Sequence, residues 1–217
     1  MIEEVKSWEA AYRRRSSGEI TPHQDVEYLN ELFQKNKVNK ILDLGCGDGR
    51  HLVYFARCGY CMTGFDYAPT ALKRAREWLR NENLGANLFC ADMKAIPCAD
   101  TVFDAVLCIA VINHNRMPEI RMTIREILRL SRPGGWLFLV VATERSIPKA
   151  GNSRYVMLEH HTYIPTSGHE KGVPHYFFSE EELRNEFRCF NVRSIRRDKR
   201  NRSCVLMQRL IQSGDCF

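Results

Sequence analysis

The chain has 217 residues, 32 of them lysine or arginine and 26 acidic, for a formal charge of +6, with 44% hydrophobic and 27% charged side chains. These proportions exclude wholesale disorder and a fibrous composition, and the length fits one domain with a sizeable core. No apolar run suits a bilayer, Met1-Ile2-Glu3-Glu4 does not read as a leader, and the nine cysteines lie mostly in apolar segments, so reduced buried thiols, a cytoplasmic location and no membrane contact are expected.

Along the chain, Val5, Trp8, Ala11 and Tyr12 recur at helical spacing and predict a short docking helix that ends at Ser16-Ser17-Gly18. Thr21-Pro22-His23-Gln24 reads as a capping box opening a second helix, with Val26, Leu29, Leu32 and Phe33 on its buried side. From residue 38 the pattern becomes strand, helix, strand. Strands are expected at Ile41 to Leu44, Met62 to Asp66, Asn87 to Ala91, Val102 to Ala110 and Trp136 to Ala142. Helices are expected before Gly59, from Pro69, and from near Pro118 to Pro133-Gly134-Gly135. Five alternations imply a parallel sheet covered on both faces, with residues 38–142 as its core.

Periodicity then lapses over 143–178, which reads as an irregular inserted lid. Ser179 and Glu182 form a second capping box, with Leu183 and Phe187 on the helix it starts. Strands at Phe190 to Ile195 and Cys204 to Leu210 follow, joined by a basic loop containing Arg193, Arg196, Arg197, Lys199, Arg200 and Arg202. A solvated face and a phosphate-contacting surface both explain such a run. The whole is expected to be a single domain, with residues 1–37 as amino-terminal helices and 179–217 as a carboxyl-terminal helix and strands.

Chemistry concentrates in Ile41-Leu42-Asp43-Leu44-Gly45-Cys46-Gly47-Asp48-Gly49, which passes from a strand through three glycines into a helix. Glycine permits positive φ and a close backbone approach to a ligand, and Asp43 stands where a carboxylate meets a ligand cation. Asp66, at the end of the next strand, is placed to accept ribose hydroxyls. A dinucleotide fingerprint needs glycine in its sixth position, where this chain has Arg50. Adenosine with an amino-acid end fits better than a pyrophosphate. The alternative is a glycine turn that merely packs tightly.

At these residues the chain resembles the class I S-adenosylmethionine-dependent methyltransferase family. The likeness extends over about residues 38–142, through Gly64-Phe65-Asp66-Tyr67, Cys90-Ala91-Asp92-Met93, Phe103-Asp104-Ala105-Val106 and Arg132-Pro133-Gly134-Gly135. It implies an α/β fold with a Rossmann-like, doubly wound sheet of seven strands, mostly parallel with the last antiparallel, and an insert after strand five. It also implies S-adenosyl-L-methionine as cofactor. Gly45, Cys46 and Gly47 would touch the methionine portion, Asp43 its ammonium and Asp66 the ribose. Tyr67, Asp92 and Met93 would surround the adenine, and Ile109 would border the methionine chain. Trp8 and Tyr12 are candidates to cover the sulfonium by cation–π contact, the alternative being that they simply dock their helix.

Methyl transfer chiefly requires alignment, with a base only for a protonated acceptor. His114, just past strand four, is the candidate base, and capping of the following helix or bonding within the loop are the alternatives. In the insert, His160, Tyr163, His175 and Tyr176 are candidate acceptor contacts. His161 and His169 add to the histidine count, yet neither their spacing nor the lone Cys58/Cys61 pair matches a metal-ligand pattern, and no metal is expected. The leading partner is a small-molecule substrate. Alternatives are an RNA substrate held by the basic loop, a non-catalytic cofactor-binding module, and a dinucleotide oxidoreductase.

Overall fold

The computed structural model describes residues 8–13, 21–147, 154–168 and 170–211. Val5, the Ser16–Gly18 break and His169 lie outside them. Five strands, β1 (Lys40–Leu44), β2 (Cys61–Asp66), β3 (Asn87–Cys90), β4 (Phe103–Ile109) and β5 (Ser131–Val141), are parallel neighbours in the order β3-β2-β1-β4-β5. The sheet is extended past β5 by β10 (Ser203–Arg209) and β9 (Phe190–Arg197), and β10 runs antiparallel to both its neighbours. This is the seven-stranded doubly wound sheet with one reversed strand that the resemblance implied.

Strand alternation divides the interior in two. Val106 and Cys108 of β4, with Leu137, Leu139 and Val141 of β5, face one cluster. Ala105, Leu107 and Ile109, with Trp136, Phe138 and Val140, face the other. Helix α5 (Met117–Leu130) covers the first through Ile120, Ile124 and Ile127, joined by Leu183 of α6 (Glu180–Glu186). Opposite, α2 (Val26–Lys35), α3 (Arg50–Arg57) and α4 (Pro69–Asn81) supply Leu29, Phe33, Leu52, Phe55 and Leu72. Because both faces of each central strand are covered, those strands read as unbroken apolar runs. The remaining helical segment, α1, comprises residues 8–13 among those described. None of the described helices is long and apolar enough to cross a membrane.

Both faces of the Ser179 capping box form: Ser179 Oγ accepts from the Glu182 amide at 3.0 Å, and Glu182 Oε2 accepts from the Ser179 amide at 2.7 Å. The proposed box at Thr21 does not. α2 starts at Val26 after Asp25, with no side-chain cap. His23 is instead drawn into the interior, where its amide donates to His51 Nε2 at 3.2 Å and its ring meets Phe138 edge-on. A long-range contact overrides the local signal there.

Three further expectations change. The insert is not irregular: β6 (Tyr155–Glu159), β7 (Thr162–Pro165) and β8 (His175–Tyr176) form a separate three-stranded antiparallel sheet. β6 is largely exposed on both sides, so it carries no alternation to read. The Pro133-Gly134-Gly135 segment does not precede β5 but lies within it, as an irregularity in its pairing with β4 at which Gly134 takes φ +76°. Lastly, Arg193, Arg196 and Arg197 belong to β9, the edge strand, where charged side chains discourage pairing with another chain.

Cysteine usage also departs from expectation. Cys189 is disulfide-bonded. Cys46, Cys108 and Cys204 are buried free thiols, whereas Cys61 and Cys90 are exposed.

Candidate active site

Strand order reverses between β1 and β4, and open α/β sheets leave a crevice outside the carboxyl ends of their strands at such a point. Leu44 lies opposite Phe65 on one side and Cys108 on the other, which brings the ends of β1, β2 and β4 to the same edge. From there the chain turns through Gly45 (φ +65°), Gly47 (φ +55°) and Gly49 (φ +91°), a left-handed geometry that other residues rarely adopt. The space is as restrictive as the dihedrals. A Cβ on Gly45 would lie 2.6 Å from Val111 Cγ1, and one on Gly47 would lie 2.5 Å from Tyr12 Oη. Between them, the Cys46 amide donates to the Phe65 carbonyl at 2.9 Å, tying the turn to β2.

Asp66 anchors the same turn. Its Oδ2 accepts from the Gly47 amide and its Oδ1 from the Ala68 amide, each at 2.9 Å. Burial raises its carboxyl above the usual range, and these backbone bonds act in the opposite direction. Asp43, on β1, is only 1% exposed, and its Oδ2 has no hydrogen-bond partner. Burial pushes its carboxyl up to about 7, opposed by the charge of Arg50 and a bond from the Leu52 backbone. A buried carboxyl in that state gains from a cation placed against it.

The opposite wall leaves β4 through Ala110, a non-glycine residue at φ +59° whose amide donates to the Val140 carbonyl at 2.8 Å. Such a conformation costs roughly 1–2 kcal/mol and persists only where its surroundings impose it. It directs the chain into a turn in which the His114 amide donates to the Val111 carbonyl at 3.0 Å. Asn113 is buried, with Oδ1 unpartnered, and its carbonyl accepts from the Tyr176 amide at 2.7 Å. Asn115 Nδ2 donates to Met93 Sδ at 3.5 Å, linking this wall to the loop after β3. In that loop Asp92 Oδ1 accepts from the Lys94 amide at 2.8 Å. The Tyr67 carbonyl accepts from Cys90 Sγ at 3.5 Å, joining the loops after β2 and β3. Ile109, nearly buried, ends β4 on the α3 side of the sheet.

α1 lies across the turn. Glu9 accepts from the Thr70 hydroxyl at 2.5 Å and the Thr70 amide at 3.1 Å, fixing α1 to the first turn of α4. Tyr12 then covers Gly47, and Trp8 packs on His114 with ring centroids 4.9 Å apart. Docking the helix and facing the crevice are therefore one arrangement.

The residues expected from the insert divide into two groups. His175 joins His114, with ring centroids 4.8 Å apart, and its Nε2 lies 3.3 Å from Glu170 Oε2. Tyr163 pairs opposite His175 across β7 and β8 and packs edge-on against Phe177. Tyr176, one residue along, faces the other way and donates its hydroxyl to Glu182 Oε1 at 2.6 Å. His161 sits there too, 3.1 Å from Glu182 and 3.0 Å from Glu144, and the exposed His160 stacks on it. Sequence reasoning missed Val111, Asn113 and Glu170. Glycine spacing points to a close neighbour without naming Val111, and nothing local distinguishes Glu170 in an aperiodic stretch.

Residues 41–135 match a family model described as a methyltransferase domain. The match spans somewhat under half of the chain, and over it the chain is similar to methyltransferases. The chain is 34% identical over 115 residues to methyltransferase GfsG of Streptomyces halstedii, covering 52% of this chain and 41% of that protein. It is 29% identical over 119 residues to the ubiquinone biosynthesis O-methyltransferase of Bordetella avium, covering 52% and 46%. The chain thus matches under half the length of these curated relatives. A solved S-adenosylmethionine-dependent methyltransferase from Methanosarcina mazei shares the fold, with a TM-score of 0.70 at 23% identity over 81% of this chain and 94% of that one.

Proposed function

We propose that the protein transfers a methyl group from S-adenosylmethionine to a small-molecule acceptor. The observation that carries this reading is the left-handed glycine turn bonded to Asp66 and flanked by a buried carboxyl with an unpartnered oxygen. In this reading Gly45, Cys46 and Gly47 lie against the methionine portion, and Asp43 Oδ2 receives its ammonium. The lone pairs Asp66 keeps beyond its two backbone bonds take the ribose hydroxyls. Tyr67, Asp92 and Met93 frame the adenine, Ile109 borders the methionine chain, and Trp8 and Tyr12 close the crevice from α1. The bound sulfonium supplies an electrophilic methyl group. The chain's own residues position the acceptor for in-line attack and exclude water.

A small acceptor is favoured because α1 and the insert approach the crevice from two sides through Trp8, His114 and His175. The name of the Bordetella avium relative, an O-methyltransferase of ubiquinone biosynthesis, agrees with this class. The arginine run offers RNA little. Arg202 pairs with Asp198, Arg197 with Asn201 and Arg193 with Gln208, while Arg196 lies over Tyr28 and beside Asp25. The test is to incubate protein with methyl-labelled S-adenosylmethionine and cell extract, then fractionate. Label in low-mass organic compounds is expected; label confined to RNA or protein would overturn the small-molecule reading.

Asp43 adds a pH dependence with a definite sign. In the free protein its carboxyl titrates near 7, and an ammonium beside it lowers that value in the complex. Binding therefore expels a proton below pH 7, and affinity falls as pH drops, by up to about tenfold per unit. S-adenosylhomocysteine is expected to bind roughly fivefold more weakly at pH 6 than at pH 7. Calorimetry in buffers of different ionisation heat should register the released proton, and Asp43→Asn should flatten the profile. A flat wild-type profile would remove Asp43 from the ammonium site.

A further inference from the structure

Among the described residues, two clusters combine histidine with other metal-ligating side chains. The first, His23, Asp198 and Cys204, is buried and internally accounted for. Asp198 already accepts from the Arg200 and Arg202 amides and from the Arg202 guanidinium, so its oxygens hold the β9–β10 loop together. The second, His114, Glu170 and His175, is assembled differently. Its members come from the turn after β4, the segment between β7 and β8, and β8 itself, and their donor atoms all lie within 4.8 Å of one another. Donors around a first-row ion with bonds near 2.1 Å stand roughly 3.0–3.4 Å apart, so a contraction of at most roughly 1.4–1.8 Å closes the set.

This cluster borders the crevice. Val111, whose carbonyl takes the His114 amide, packs on Gly45. Trp8, against His114, is one helical turn from Tyr12, which covers Gly47. That turn is a rise of about 6 Å. We infer that His114, Glu170 and His175 bind one Zn2+-class divalent ion, whose open position takes the hydroxyl or thiol of the methyl acceptor. Two imidazoles and one carboxylate form a borderline donor set suited to such ions and poor in the oxygens that Ca2+ or Mg2+ requires. Three protein ligands leave a coordination position for a substrate atom.

The ion stands on the cluster alone, whereas the acceptor's role rests on the methyltransferase reading. Coordination lowers the pKa of a bound hydroxyl or thiol, whose proton passes to solvent. The freed lone pair forms the new bond to methyl while the carbon–sulfur bond of the donor breaks. That bond's electron pair stays on sulfur, giving S-adenosylhomocysteine. His114 is then a ligand and not the base that its position in sequence suggests.

The test uses the full chain, stripped with a chelator and titrated with Co2+ by visible absorption and with Zn2+ by calorimetry. One ion per chain is expected, with a cobalt spectrum lacking thiolate charge transfer. His175→Ala and Glu170→Gln should each weaken Co2+ binding by about a hundredfold or more while S-adenosylhomocysteine binding stays near wild type. Glu170→Gln is isosteric and serves if His175→Ala fails to fold. Cys204→Ala should leave the ion in place. Absence of ion binding, unchanged binding in both ligand variants, or loss with Cys204→Ala would overturn the site. Ion binding without any S-adenosylhomocysteine binding would instead overturn the acceptor role together with the methyltransferase reading.

Discussion

Gly47→Val is expected to weaken binding of S-adenosylmethionine and S-adenosylhomocysteine sharply while circular dichroism shows the fold retained. Gly47 sits at φ +55°, where a β-branched residue is a steric outlier. The penalty of the left-handed conformation is about 1–2 kcal/mol for ordinary residues. Contact adds to it, because a Cβ there lies 2.5 Å from Tyr12 Oη, and overpacking of this kind typically costs about 1–3 kcal/mol. Relief by rotating the peptide would withdraw the Gly47 amide from Asp66. Together these terms, about 2–5 kcal/mol, correspond to a loss of affinity of roughly thirtyfold to several thousandfold, at about 1.4 kcal/mol per factor of ten.

The two contributions separate experimentally. Tyr12→Phe in a Gly47→Ala background removes the clashing oxygen, leaving Tyr12 Cζ, at 3.4 Å, as the nearest atom. The double variant should recover the contact portion of the loss and keep the backbone portion. Wild-type affinity in Gly47→Val, read by calorimetry, would show that the ligand lies elsewhere.

Asp66→Ala is expected to weaken S-adenosylhomocysteine and adenosine in parallel, by at least about a hundredfold. Hydrogen bonds to a charged group contribute roughly 1.5–3 kcal/mol each, and the ribose stands to lose two. The protein loses two as well, since the Gly47 and Ala68 amides both rely on this carboxylate. Part of that cost is offset by no longer burying a charge that the site desolvates. Asp66→Asn separates the roles poorly, because its amino group would face a backbone donor. Adenosine is therefore the better discriminator: unchanged adenosine affinity in Asp66→Ala would remove the ribose assignment even if the longer ligand bound less well.

Much of the sheet is legible because burial on two faces writes itself into composition. β4 and β5 present apolar side chains to both clusters, and their positions follow from unbroken runs. The glycine turn and Asp66 are legible for a related reason, as dihedral and hydrogen-bond demands restrict residue type at fixed spacing. What escapes is anything decided across long separations. Thr21 has the chemistry of a cap, but His23 finds His51 and the interior instead. The insert's strands are short and β6 is exposed, so no period betrays them. Glu170 acquires its significance only when β8 brings His175 to His114, and no local pattern encodes that meeting. Tyr176 and His160, grouped with His175 by composition, part from it because neighbouring positions on a strand face opposite sides and a hairpin turn points outward.

The place of β10 between β5 and β9 has a consequence for biosynthesis. β5 ends at Val141, yet the neighbour that pairs its outer edge, Ser203–Arg209, is translated some sixty residues later. A nascent polypeptide can assemble the five parallel strands early but must hold β5 as a raw edge until that late segment emerges. Such a wait exposes hydrogen-bonding groups to stray partners, the circumstance in which chaperone assistance matters most.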